Sequence, residues 1–149
     1  MSTPRISLAA ALTAASLSPG ALAQSACPGI HVTILDIRNS TGTVDCALFE
    51  SEKGFPIEVL LSATKVMVMK VRETHARCDF ESIPTGTYAL AVIHDENMNG
   101  KLDTNALGIP VEGYGFSNDA KGWFGPPSFP AARFTYDGRS LEMTIRMHY

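Results

Sequence analysis

Apolar and polar positions alternate along most of the chain beyond residue 30. A period of two predicts strands, not helices. Residues 31–37 are dense in β-branched and apolar types, and Asn39-Ser40-Thr41-Gly42 reads as a turn. Residues 43–49 place Val44, Cys46 and Leu48 on one face. Residues 57–64 fit either a short helix or an irregular crossing. Residues 65–72 return to strand character. In residues 76–83, Cys78, Phe80 and Ile83 suit a core, while Arg77, Asp79 and Glu81 suit water. Residues 87–94 are apolar on both faces, with Tyr88, Leu90 and Val92 opposite Ala89, Ala91 and Ile93, which predicts a central strand. Residues 131–136 and 140–148 flank Asp137-Gly138 and predict a hairpin.

About seven strands with frequent turn signals predict an all-β fold, a single antiparallel β-sandwich. Residues 95–130 form one long stretch rich in Gly, Asn and Pro. Loops of this length are uncommon unless something organises them. No internal repeat and no heptad pattern interrupts this reading.

The N-terminal stretch changes the picture of where the protein works. Arg5 precedes an apolar run over residues 6–17, Pro19 and Gly20 break it, and Ala21-Leu22-Ala23 supplies a small-x-small cleavage pattern. This predicts a signal peptide over residues 1–23, an exported domain over residues 24–149, and a periplasmic or secreted product. A lipid anchor at Cys27 is the competing reading, but Gln24-Ser25-Ala26 lacks the apolar residue expected three positions upstream. Cleavage after Ala23 leaves 126 residues, enough for one domain with a real core. Loss of Arg5 moves the formal charge from −3 to −4. That mild acidity argues against nucleic acid or an anionic membrane as the main partner, and no later apolar run is long enough for a transmembrane helix.

All three cysteines, Cys27, Cys46 and Cys78, follow the predicted cleavage site. An odd count in an oxidising compartment predicts one disulfide and one free thiol. Cys27–Cys78 would staple the N-terminus to the body, and Cys46–Cys78 would join two strands. The spacing does not choose between them. No Cys-x-x-Cys motif and no zinc-type spacing occurs.

The segment with the most chemistry is Asp95-Glu96-Asn97-Met98-Asn99-Gly100-Lys101-Leu102-Asp103. Hard oxygen ligands stand at loop positions 1, 3, 5 and 9, Gly100 stands at position 6, and Lys101 would offer its backbone carbonyl at position 7. Calcium loops use this order because alternate side chains must point inward while the chain turns sharply round the ion. The bidentate Glu of an EF-hand is missing, since position 12 is Ala106, and the loop leaves a strand rather than a helix. Glu112 is the nearest substitute carboxylate, with Asn105 a second candidate. Only Asp95 and Asp103 carry charge within the loop. The expected calcium affinity is therefore weak, on the order of 10⁻⁴ to 10⁻³ M. The competing reading is an ordinary Asx-rich turn.

These residues also carry a resemblance. The run from His94 to Asn105, the run from Gly108 to Asn118, and Phe124-Gly125-Pro126-Pro127-Ser128-Phe129 resemble the bacterial family called domain of unknown function 2141. The turn Ile83-Pro84-Thr85-Gly86-Thr87-Tyr88 fits the family's Leu-Pro-x-Gly-x-Tyr pattern. The resemblance implies a small exported sandwich, transthyretin-like or carboxypeptidase-regulatory-like. It implies no catalytic residues. Cys46 is not part of the pattern.

Two further groups invite a functional reading. Tyr114, Phe116 and Trp123, with Phe124 and Phe129, form either a platform for a carbohydrate or protein ligand or a small core that packs the long loop down. The second reading is the one expected. His94 and Glu112 could form the acid–base pair of a small hydrolase, although His94 shares a face with Leu90 and Val92, as structural histidines do. A serine-nucleophile elbow is excluded, because Ser117 lacks the second flanking Gly. A non-catalytic binding or structural module is the leading expectation, with assembly through an exposed edge strand a third.

Overall fold

The computed structural model describes residues 27–149. The predicted signal peptide lies outside the described residues. The elements in chain order are β1 (Gly29–Leu35), β2 (Thr43–Phe49), α1 (Val59–Ser62), β3 (Lys65–Lys70), β4 (Ala76–Phe80), β5 (Gly86–Asp95), β6 (Gly113–Phe116), α2 (Phe129–Ala132), β7 (Phe134–Tyr136) and β8 (Ser140–Arg146). A 3-10 turn at Ser117–Asp119 follows β6.

The strands form two sheets. One has three strands in the order β4-β1-β8. The other runs β3-β2-β5-β6, with β7 also paired to β5. β6 takes residues 91–94 of β5 and β7 takes residues 86–88 of the same edge. The alternation explains the faces. Ile30, Val32, Ile34, Cys78, Phe80 and Ile145 from one sheet meet Val44, Cys46, Leu48, Leu90 and Val92 from the other in one buried cluster. Each fully buried side chain of this size contributes about 1.5–3 kcal/mol. The protein is therefore all-β, as its sequence predicts.

Three expectations need correcting. The sandwich is not purely antiparallel, because β1 and β8 run parallel. The hairpin across Asp137-Gly138 does not form. The chain turns there but crosses from one sheet to the other, so β7 pairs with β5 and β8 with β1. A tight turn fixes local direction, not the partner. Third, the stretch 95–130 is not one loop. It contains β6, the 3-10 turn and the start of α2. Its organiser is apolar. Phe116 and Ala132 pack with Phe49, Phe55 and Phe129 on the outer face of the larger sheet.

The disulfide joins Cys46 to Cys78, with Cα atoms 6.8 Å apart, while Cys27 keeps a free, exposed thiol. It ties β2 of the larger sheet to β4 of the smaller one through the core. A second tie closes the flank. Tyr114 and His148 exchange backbone hydrogen bonds of 2.9 and 2.8 Å, so the chain after β8 pairs with β6 of the other sheet.

The outer face of the three-stranded sheet carries a polar cluster. His31 places Nδ1 2.7 Å from Asp79 Oδ1 and Nε2 2.9 Å from the Cys27 carbonyl. Both partners are acceptors, so both contacts are made together only by the imidazolium. The Cys27 carbonyl first, then Asp79, raise the His31 pKa above 6.5 against the opposing effect of burial. Burial pushes Asp79 up, but His31 and Arg77 outweigh it and hold the carboxyl below its usual range. A raised histidine pKa adds stability that is fully present below the unfolded value and lost as pH rises through the folded one. Melting temperature should thus fall as pH climbs through the window above 6.5, and His31→Gln should flatten that slope. A slope unchanged in His31→Gln would assign it to another group.

Candidate functional site

The acidic turn begins where β5 ends. Asp95 is the last residue of β5 and is buried, with its carboxylate under the turn that follows. Its Oδ1 accepts from the Asn99 N–H at 3.0 Å and its Oδ2 from the Gly100 N–H at 2.6 Å. Position 1 of the turn therefore holds positions 5 and 6. Met98 and Gly100 both adopt left-handed backbone, at φ 59° and 78°. This costs Gly100 nothing. For Met98 it costs about 1–2 kcal/mol, offset by the charge-assisted bonds to Asp95.

Glu112 acts as a second clamp. It is buried just before β6. Its Oε1 accepts from the Glu96 N–H at 2.9 Å and its Oε2 from the Asp103 N–H at 3.0 Å. The two ends of the turn are thus pinned to one carboxylate. The sequence-predicted ligands Asp95, Asn97, Asn99, Asp103 and Glu112 do come together, though Asp95 and Glu112 face backbone N–H groups. Asn97 Nδ2 donates to Asp103 at 2.6 Å, and Asn99 Nδ2 donates to both Asp103 oxygens at 3.0 and 3.1 Å. The Asn99 and then the Asn97 amide hold the Asp103 carboxyl below its usual range. Asn105 closes its own turn over Leu107 and Ile109 and does not join the group.

One partner escaped the sequence reading. Asp45 on β2 lies close enough to be affected by both clamps. Burial pushes its carboxyl up, a 2.9 Å bond from the Thr43 hydroxyl pulls it down, and Asp95 and Glu112 push it up further. The register pairs Thr43 with Asp95, and that cross-strand proximity has no local sequence signal.

Among the described residues, no three His, Cys, Asp or Glu side chains form a metal-holding group by themselves. An ion here would need the neutral oxygens of Asn97, Asn99 and the Lys101 carbonyl beside Asp103. That donor set is hard oxygen throughout, which suits calcium and not zinc. A half-turn of each Asn amide brings its oxygen to the Asp103 side. Each half-turn gives up one Asx bond, Asn97 Oδ1 to the Asn99 N–H or Asn99 Oδ1 to the Lys101 N–H. The donor chemistry fits, at the cost of those two turn bonds and of the three amide bonds to Asp103, whose place the ion would take.

His94 and Glu112 have separate partners. His94 is fully buried. Its Nε2 donates to the Thr41 carbonyl at 2.8 Å, and the Tyr149 hydroxyl donates to its Nδ1 at 2.8 Å. Tyr149 in turn accepts from the Arg38 N–H at 3.0 Å, and the Arg38 guanidinium lies over its ring at 4.6 Å. Arg38 continues to Glu96 at 2.6 Å and to the Val111 carbonyl at 3.1 Å. This chain of bonds braces the acidic turn from the side. The geometry of a histidine with both nitrogens engaged in the interior is that of a structural residue. Ser117 is likewise spent, donating to the Ala132 carbonyl at 2.6 Å and accepting from the Leu90 N–H at 2.8 Å.

The aromatic group splits. Phe116 and Tyr114 pack into the outer apolar layer, and Phe129 meets Phe55 edge-on at 5.7 Å. Trp123 and Phe124 project into solvent. The expected small core is right for the first three and wrong for the last two, whose Gly-bounded turn holds them off the sheet.

The strands, the turn and the Gly/Pro-rich tail now fit together, and the comparison with known families agrees with them. A family model described as "Uncharacterized protein conserved in bacteria (DUF2141)" matches residues 32–144. The chain belongs to this family. The span matched to DUF2141 covers β1 from Val32 onward, every strand from β2 through β7 and most of β8, and with them the whole acidic turn. No curated protein and no solved structure matches the chain.

Proposed function

We propose that this DUF2141 protein is an exported, non-catalytic binding or structural module whose acidic turn, Asp95 to Asp103, takes up calcium weakly to fix its shape. The observation that carries the reading is the convergence of Asn97 and Asn99 on Asp103, within 2.6–3.1 Å. Buried Asp95 and Glu112 hold the backbone beneath them. Burial first, and then the charges of Asp95 and Glu112, push the Asp45 carboxyl up, and a cation near these carboxylates would relieve that part of the effect which comes from charge. A buried disulfide supports export, because such bonds persist in oxidising compartments. The engaged nitrogens of His94 speak against hydrolysis.

The test is calorimetric titration of the purified protein with calcium, alongside melting curves in calcium and in chelator. A dissociation constant on the order of 10⁻⁴ to 10⁻³ M is expected. At 10 mM calcium that range gives about 1.4–2.7 kcal/mol of stabilisation, and Asp103→Asn should remove most of it. No binding heat together with identical melting curves would sink the proposal.

A further inference from the structure

Cys27 and Pro28 form a short lead-in to β1, and both are exposed. Among the described residues, the bond from His31 Nε2 to the Cys27 carbonyl is the one hydrogen bond that either of them makes. Pro28 has no N–H to add a second. Gly29 lets the imidazole lie close against the chain. A Cβ there would stand 3.3 Å from His31 Nε2 and 3.0 Å from the Phe80 carbonyl oxygen.

The other side of the ring faces charge. His31 is on the central strand of its sheet, and the register sets Asp79 of β4 on one side of it and Glu142 of β8 on the other. Arg77 of β4 reaches both carboxylates, at 2.9 Å to Asp79 and 3.3 Å to Glu142. The lead-in itself contributes one titratable group, the Cys27 thiol. Asp79 thus keeps a cationic partner in Arg77 whatever the ring does, and the lead-in has no such reserve. A neutral imidazole has one N–H and one lone pair. The N–H stays on Nδ1, 2.7 Å from the Asp79 carboxylate, because a bond to a charged acceptor is about twice as strong as one to a neutral carbonyl. Nε2 then turns its lone pair on the Cys27 carbonyl oxygen, and two acceptors oppose each other. We infer that His31 is a proton-operated latch on the lead-in: doubly protonated, it clasps the Cys27 carbonyl onto the sheet, and on losing the Nε2 proton it releases Cys27 and Pro28. The lead-in is docked in acid and free in alkali, while β1, β4 and β8 stay paired.

Cys27 is the free cysteine, so a maleimide dye with pH-independent emission labels the lead-in alone. The anisotropy of the purified, labelled protein is followed from about pH 5.5 to 9, beside the NMR titration of the His31 ring. The expected result is a fall in anisotropy as pH rises, with the same midpoint as the ring. Asp79→Asn removes the charge that favours the imidazolium and should lower both midpoints by about one unit or more. His31→Gln has no ring to titrate and should show no slope. The proposal is overturned by an anisotropy that stays flat while the ring titrates, by a midpoint that ignores Asp79→Asn, or by a slope that survives His31→Gln. A surviving slope would assign the release to the amino terminus, which titrates in the same range. A fall that comes with loss of the strand signal in circular dichroism is unfolding rather than release, and it overturns the proposal too.

Discussion

Replacing Cys46 and Cys78 together by alanine is expected to destabilise the protein by about 3–4 kcal/mol. Their sequence separation is 32 residues, and closing a loop of that length removes entropy of about this size from the unfolded chain. The position adds to the effect. Cys46 lies on β2 and Cys78 on β4, so the bond joins sheets that elsewhere in the core meet through side-chain packing. Both sulfurs sit in fully buried residues within the main cluster, where alanine also leaves space that collapses only in part. A shift of about 10–20 °C in melting temperature follows for a domain of this size. Urea denaturation of the double variant checks it, and a loss below about 1 kcal/mol would show that the bond adds nothing to the packing. Burial carries a second consequence. A thiol reductant should cleave the bond only as fast as the protein opens, so native protein should resist a reagent that reduces the urea-unfolded chain at once.

The pairing of those cysteines marks the boundary of what the sequence could convey. Cys46 and Cys78 both read as inward-facing from local alternation, and they are. Whether Cys78 would meet Cys46 or Cys27 depended on which strands oppose one another, and alternation is silent on that. β2 was legible to the residue, at Thr43–Phe49, because a turn precedes it and its apolar face is regular. β5 was legible as a central strand because it is apolar on both faces. β6 was not, since Gly113-Tyr114-Gly115-Phe116 offers no β-branched run. β8 was legible as a strand, but its place beside β1 was not. In the acidic turn, the spacing marked Asp95, Asn97, Asn99 and Asp103, and these do converge. Asp45 was invisible because its nearness comes from the register of two strands. Trp123 and Phe129 share one Gly/Pro-rich stretch and one chemical character. Only the fold separates the residue that packs from the residue that projects.

Glu112→Ala is expected to cost about 2–4 kcal/mol and to act on the turn before the core. The carboxylate accepts from two backbone N–H groups, those of Glu96 and Asp103, and is itself buried. Bonds to a charged acceptor contribute about 1.5–3 kcal/mol each, and the N–H groups left behind recover part of this if water enters. Glu112→Gln is the sharper variant. It keeps the length and one oxygen but turns an NH₂ group towards one of the two donors, so one bond is lost and two donors oppose each other. Its cost should fall between those of wild type and alanine. Amide hydrogen exchange separates a local role from a global one. Glu96 and Asp103 should lose protection first, and Leu90 and Val92 on β5 should follow only to the extent that global stability falls. If all these amides exchange faster together, Glu112 is one more fold residue and not the clamp of the turn. The same variant bears on the ion. If calcium takes its place above a backbone held by Asp95 and Glu112, then freeing the Asp103 end should weaken binding even though Asn97, Asn99 and Asp103 all remain. A calcium affinity unchanged in Glu112→Ala would mean that the turn organises itself round the ion without the clamp.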